Sequence, residues 1–339
     1  MNGSFVWRDA GRVVVFRDSA VSDAPQLLAE HGLEPFELLT TARHLSSAQE
    51  LAAAAAAVHE IPPATDPATG VTVSAAELLD KATGQNLVAM GGGRVVDIAK
   101  AIASVTGARV AAIPTTMSGA EMTGIHRLPA GAESRARGLV RPSLVIADPN
   151  LMTSAPEPEL RASSMNALAH GADSLYTPFA NPVSQMTALR GAELIATSLD
   201  EPPTERNRDA LALGSILCGY AIDSAMFALH HVACQTLVRI CGTPHAGTNA
   251  AFLPRAMSFM VPRVPDGLVP LATALGTTPE GIESRILDLG GNPPGLGDLG
   301  GDSNKLPEAV EAMLMRPELA FTPEPPSANE LRELVERSW

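Results

Sequence analysis

The sequence predicts two successive parts, an α/β domain built on a parallel sheet and then an all-helical domain, and three observations predict it. Short β-branched apolar runs alternate with helical stretches as far as about residue 150. The runs are continuously apolar, as expected of strands covered by helices on both faces. After Asp148-Pro149 they stop, and apolar residues recur at three- and four-residue spacing, the pattern of packed helices. The expected domains are residues 1–150 and 151–339.

Taken in order, the expected strands are RVVVF (12–16), FELLTT (36–41), GVTVS (70–74), NLVAM (86–90), ARVAAIP (108–114) and SLVIADP (143–149). The alanine run 52–57 reads as helix. In the second part, PEPELRASSMNALAHGADSLY, PVSQMTALRGAELIATSL and RDALALGSILCGYAIDSAMFALHHVACQTLV read as helices. Residues 264–304 and 316–328, rich in Gly and Pro, read as loops between short helices, and ANELRELVERSW as a closing amphipathic helix.

A chain of 339 residues, 45% hydrophobic and 18% charged, is ample for a well-buried core. Its net charge of -13 and pI near 5.0 exclude the basic stripe that nucleic acid or an anionic membrane surface requires. The three cysteines, Cys218, Cys234 and Cys241, are an odd number without CxxC spacing and read as reduced thiols in a cytoplasm. The start MNGSFVWRDAGR lacks a basic segment leading into an apolar one, and no apolar run is long enough to span a bilayer, so neither export nor membrane insertion is expected.

NLVAMGGGRVVDIAKAIA runs a buried strand into Gly91, Gly92 and Gly93 and then into a helix from about Val95. Glycines there let the backbone approach a pyrophosphate, while free N–H groups and the helix dipole hold its charge. The competing reading is a tight turn alone, since the spacing is not GxGxxG. AAIPTTMSGAEMT follows another strand and clusters Thr115, Thr116 and Ser118 at its carboxyl end, where open α/β sheets bind ligands. Both loops should grip one dinucleotide, unless the hydroxyls serve only as a helix N-cap. Asp97 and Lys100, at i and i+3, read as a surface ion pair, or Asp97 as a residue that caps or orients the glycine phosphate loop.

The second half offers Asn166 and His170 at i and i+4 on one helix face, then His230 and His231, Gln235 one turn later, and His245. His31, His44 and His59 read as core histidines with one nitrogen satisfied, Cys234 and Cys241 as small core residues, and AMSFMVP as packing.

The segments GGGRVVDIAKAIA, IPTTMSGAEMT, ADPNL, MNALAHGADSLYTPFANP and HHVACQTLVRICGTPHAGTNAAFLP, in this order, resemble the iron-containing alcohol dehydrogenase family. TTMSGAEMT, NALAH with YTPFANP, and HH followed by PHA resemble its maleylacetate reductase branch. The resemblance implies the related dehydroquinate synthase-like fold, NAD(P)H as cofactor, a cleft between the two domains, and a homodimer. It also implies that Asn166, His170, His231 and His245 stand where metal-dependent relatives hold iron or zinc with one Asp and three His. A neutral amide is a poor ligand for such a metal, and the branch resembled works without one, so no metal is expected, although three histidines and a water are able to hold zinc.

Gln235 stands where the family generally has His, and glutamine cannot shuttle a proton. Acid–base work then falls to His170, His230, His231 or His245. Arg94 replaces the usual small hydroxyl residue after the glycines and puts a cation near the pyrophosphate, to clamp phosphate, bind a substrate carboxylate or obstruct the site. TTARH (40–44) lacks the Asp that favours an unphosphorylated ribose, and Arg43 is placed to accept a 2′-phosphate, so NADH and NADPH stay open.

The expected activity is metal-independent, NAD(P)H-dependent reduction of a small, anionic, unsaturated oxo acid or related carbonyl compound. The alternative is the same fold turned to cyclisation, elimination or isomerisation, and a third class is a non-catalytic binding protein.

Overall fold

Six parallel strands form one sheet in a computed structural model that describes residues 11–63 and 69–339. The opening MNGSFVWRDA, read above for export signals, lies outside the described residues. The chain divides into two compact units between Ala155 and Pro156.

In the first unit the strands are β1 (Val13–Phe16), β2 (Glu37–Thr40), β3 (Ala57–Glu60), β4 (Asn86–Gly91), β5 (Arg109–Pro114) and β6 (Leu144–Ala147), in the order β1-β6-β5-β4-β2-β3. The helices are α1 (Ala24–Glu30), α2 (Ala42–Leu45), α3 (Gln49–Ala54), α4 (Gly70–Leu78), α5 (Gly93–Thr106) and α6 (Pro149–Met152). All six residues of β4 are buried, because both faces are covered. Leu87 and Ala89 pack toward Ile98 and Ile102 of α5, while the alternate residues Val88 and Met90 pack toward Leu28 of α1 and Leu51 of α3. Burying each such aliphatic side chain contributes about 1.5–3 kcal/mol before chain entropy is counted. In register, Gly91 of β4 lies beside Pro114 of β5, which brings the carboxyl ends of these central strands together.

Two sequence expectations fail here. GVTVS is the start of α4, not a strand: Ser74, Ala75 and Leu79 are buried at helical spacing and Val71 packs into the α5-side core. Packing overrides the β-branched composition. The missing strand is β3, AVHE, at the sheet edge beside β2. It was hidden by the alanine run, which is helical only to Ala54 and turns extended at Ala55.

The second unit is helical. It comprises α7 (Glu157–Ser174), α8 (Pro182–Asp200), α9 (Arg208–Ala225), α10 (Leu229–Cys241), α11 (His245–Met260), α12 (Pro265–Ala274), α13 (Ile282–Leu289), α14 (Leu306–Leu314) and α15 (Ala328–Glu336). The Gly/Pro-rich stretch 264–304 thus contains α12 and α13; Pro265 opens α12, where its missing N–H costs nothing, while Pro270 lies inside that helix. Helices α9 and α10 meet at 99°. The bend passes through Met226, at φ 62° and ψ -173°, a conformation that normally demands glycine and costs about 1–3 kcal/mol. It delivers His230 and His231 in the first turn of α10. Among the described residues no single helix is long and apolar enough to cross a membrane.

Candidate active site

The glycine turn and the hydroxyl loop are neighbours in the first unit. A methyl group added at Gly92 would come within 3.3 Å of the Thr116 hydroxyl, and one at Gly93 within 2.9 Å of Ser118. Gly91 is demanded by packing, since a Cβ there would sit 2.6 Å from Val95. Helix α5 begins at Gly93, two residues earlier than its sequence suggests, with no side chain capping it and no acidic residue in its first turn. Thr115 donates its N–H to Gly91, its hydroxyl is buried without a partner, and Ser118 accepts the Ala120 N–H. Arg94 turns away to donate to the Pro62 carbonyl. Arg43 is exposed at the start of α2.

Asp97 and Lys100 are no surface pair. Lys100 is fully buried, 2.9 Å from Asp97, and donates to the carbonyls of Ala120, Thr123 and Ile125, so it pins the hydroxyl loop to α5. Beside it, Glu121 is fully buried with no hydrogen-bond partner outside its own residue. Burial pushes its carboxyl up to about 7, against the opposing pull of Lys100.

In the second unit, Asn166, His170 and Asp173 form one stripe of α7 at i, i+4 and i+7, all buried. The rings of His170 and His231 stack with centroids 4.8 Å apart and planes 15° apart, and His230 lies edge-on to His231 at 5.0 Å. Asp173 holds the pair. Its Oδ2 accepts Nδ1–H of His231 at 2.8 Å and the backbone N–H groups of Ala228 and His231 at 3.1 Å each, and its Oδ1 accepts the Tyr176 hydroxyl. Burial alone would raise this carboxyl, but the hydrogen bonds and the charge of His231 hold it well below the usual carboxylate range. Nδ1–H of His231 is thereby committed to Asp173, and Nε2 is the nitrogen without a protein partner.

His230 donates Nε2–H to Oδ1 of Asn249 at 2.8 Å, and Asn249 donates in turn to the His245 carbonyl at 2.8 Å. His245 itself is exposed at the first position of α11. Burial, reinforced by the neighbouring imidazoles, holds His170 well below its ordinary range and lowers His230 to about 3, so both are neutral near pH 7. Nδ1 of His170, Nδ1 of His230 and Nε2 of His231 are buried without partners. Cys218, Cys234 and Cys241 are free and buried, as read; burial raises the Cys234 thiol well above its ordinary range, so it is no nucleophile. His31, His44 and His59 are only half-buried, His59 bonded to Glu37 and His44 to Thr41, so they are not core residues.

Residues 15–156 match the family described as iron-containing alcohol dehydrogenase, and residues 161–339 match the C-terminal region of the Fe-containing alcohol dehydrogenase family. The chain belongs to the iron-containing alcohol dehydrogenase family. It is 31% identical to a maleylacetate reductase of Rhizobium sp. (strain MTP-10005) over 99% of its own length and 97% of that protein. With maleylacetate reductase 1 of Rhodococcus opacus it shares 36% identity over 75% of this chain and 72% of that one. The solved maleylacetate reductase of Agrobacterium tumefaciens superposes with a TM-score of 0.86 at 28% identity, covering 99% of this chain and 98% of the other. Within the family the chain falls in the maleylacetate reductase-like branch, and it is an NAD(P)-dependent oxidoreductase.

A dinucleotide fits the residues present, because uncapped N–H groups at the start of α5 and the space that a Cβ at Gly92 would fill suit a pyrophosphate. Iron does not fit them. A metal lies in the plane of each imidazole that binds it, at about 2.0–2.1 Å, and the near-parallel stacked planes of His170 and His231 do not meet at that distance. Asp173, the nearby carboxylate, spends both oxygens on other donors, and Asn166 supplies no charge. Among the described residues no group of three His, Cys, Asp or Glu is arranged to hold a metal.

The reading from sequence missed Asp173, Tyr176, Asn249 and Glu121. The first lay within reach, since it continues the Asn166–His170 stripe, and Asn249 follows His245 by one turn. Tyr176 lay within reach too, three residues after Asp173, whereas Glu121 carried no signal, since its setting depends on a loop folding back over Lys100.

Proposed function

We propose that the protein is a metal-independent, NAD(P)H-dependent reductase of a small unsaturated oxo acid of the maleylacetate type. The observation that carries this reading is the pair of partnerless buried nitrogens, Nε2 of His231 and Nδ1 of His170, beside a His231–Asp173 pair. A buried polar atom left unpaired costs about 1–3 kcal/mol, which a ligand oxygen recovers.

Bound NAD(P)H supplies the hydride. In a conjugated alkene–ketone the negative charge then gathers on the carbonyl oxygen, where hydrogen-bond donors serve in place of a Lewis acid. His231 carries the proton at Nε2, and Asp173 holds the ring in orientation and stabilises its cationic form. The neutral ring of His170 stacks on it and excludes water. Asn166 places an amide where a carboxylate would repel the forming enolate. Gln235 cannot relay a proton, which leaves that task to His231.

The test is oxidation of NADH and NADPH with maleylacetate set against simple aldehydes. Turnover with the unsaturated oxo acid is expected; reduction of aldehydes alone would overturn the reading.

A further inference from the structure

Gln235 has a partner that explains why an amide stands there. It lies one turn after His231 on the same face of α10, and it is half-buried where its neighbours from His231 to Val238 are buried, so the face opens at this point. Its Oε1 accepts Nη2–H of Arg316 at 3.0 Å. Arg316 follows α14 and precedes the single turn Pro317–Phe321, and its Nε donates to Glu318 at 2.9 Å. Burial pushes the Glu318 carboxyl up, but the hydrogen bond and charge of Arg316 outweigh it, so the pair is ionic.

We propose that Arg316, aimed by Gln235, is the subsite for a carboxylate group of the substrate. This rests on the oxo-acid reading above. Two of the five guanidinium N–H groups are engaged by Glu318 and Gln235, which leaves donors in the fork geometry that carboxylates match. A neutral amide orients the guanidinium without setting a second carboxylate on it beside that of Glu318, as a Glu at 235 would. The buried rings of His170 and His230 are neutral and offer an anion no charge. The Arg316 side chain, 19% exposed, is partly desolvated, and a charge-assisted bond there counts for more than on an open surface.

The probe is maleate, titrated by calorimetry with and without saturating NADP+ or NAD+, with dimethyl maleate as the uncharged control. Binding of maleate by the natural protein is expected, with a loss of about 10- to 100-fold in Arg316→Gln. Gln235→Glu, which keeps the shape but adds a second carboxylate to the guanidinium and repels an incoming anion, should lose as much, and Arg316→Lys should recover part. The diester should show no comparable dependence. Absence of maleate binding in the natural protein, or undiminished binding in both variants, overturns the subsite. Maleate binding that needs Arg316, in a protein that reduces no unsaturated oxo acid, keeps the subsite and removes the proposed substrate. Turnover of the oxo acid with an unchanged KM in Arg316→Gln does the reverse.

Discussion

Replacing Asp173 by Asn tests the chemistry where it is most concentrated. The carboxylate accepts four hydrogen bonds, from Tyr176, Ala228 and twice from His231, and is fully buried. Asparagine keeps the shape, removes the charge, and turns one oxygen into a donor that faces another donor. Hydrogen bonds to a charged group are worth about 1.5–3 kcal/mol each, and breaking a buried charged pair by removing one partner costs about 3–5 kcal/mol, so a loss of about 3–5 kcal/mol in urea unfolding is expected. Turnover, followed by nicotinamide absorbance, should fall by about 10²–10⁴-fold because the proton donor loses its support, with KM changed far less. The pH dependence has a definite sign. The Asp173 carboxyl is depressed from 3.8 on folding, so its contribution is full above that value and is lost only as pH falls through the lower folded value. The stability gap between Asp173→Asn and the natural protein should therefore stay constant through neutral pH and close only in strong acid. A variant that unfolds like the natural protein and keeps its turnover would refute this account of His231.

Glu121 has the opposite sign. Its carboxyl rises from 4.5 to about 7 on folding, so stability falls as pH climbs through that window and is flat above it, and Glu121→Gln should gain up to about 3 kcal/mol at alkaline pH over its difference in acid; urea unfolding at the two extremes checks this. Burial lowers His230 from 6.5 to about 3, so the unfolded chain takes up a proton first as pH falls below 6.5, and His230→Gln should flatten the acid limb of the stability curve. Gly93→Ala drives a methyl group to 2.9 Å from Ser118 and should cost about 1–3 kcal/mol and weaken dinucleotide binding in calorimetry, whereas Arg94→Ala, whose side chain points to Pro62, should spare binding.

The sheet was legible wherever a strand was continuously apolar, as in β4 and β5, because being buried on both faces leaves no polar residue to confuse the pattern. It held at the rim formed by β1, read from RVVVF, and failed at the other. The edge strand β3 needs only one covered side and so carries a weak pattern, while α4 places Val71 against a core that composition alone does not reveal. The imidazoles were legible as a group from their spacing. Their order was not: that Asp173 binds His231 while Asn249 binds His230 depends on the 99° bend at Met226, which no local propensity favours. Lys100 looked like a surface residue because i, i+3 charge pairs usually are, and only the loop returning over it shows otherwise. Gln235 looked like a lost function, and its partner lies 81 residues further along the chain.

On the proposed reading, stacked imidazoles braced by Asp173, with an amide at position 166, reduce a conjugated oxo acid without a metal. The most direct test is NAD(P)H oxidation by protein treated with a strong chelator, with metal content measured on the same sample. Undiminished turnover of the unsaturated oxo acid is expected in protein free of iron and zinc. Activity that vanishes with the metal and returns when iron or zinc is restored would contradict it.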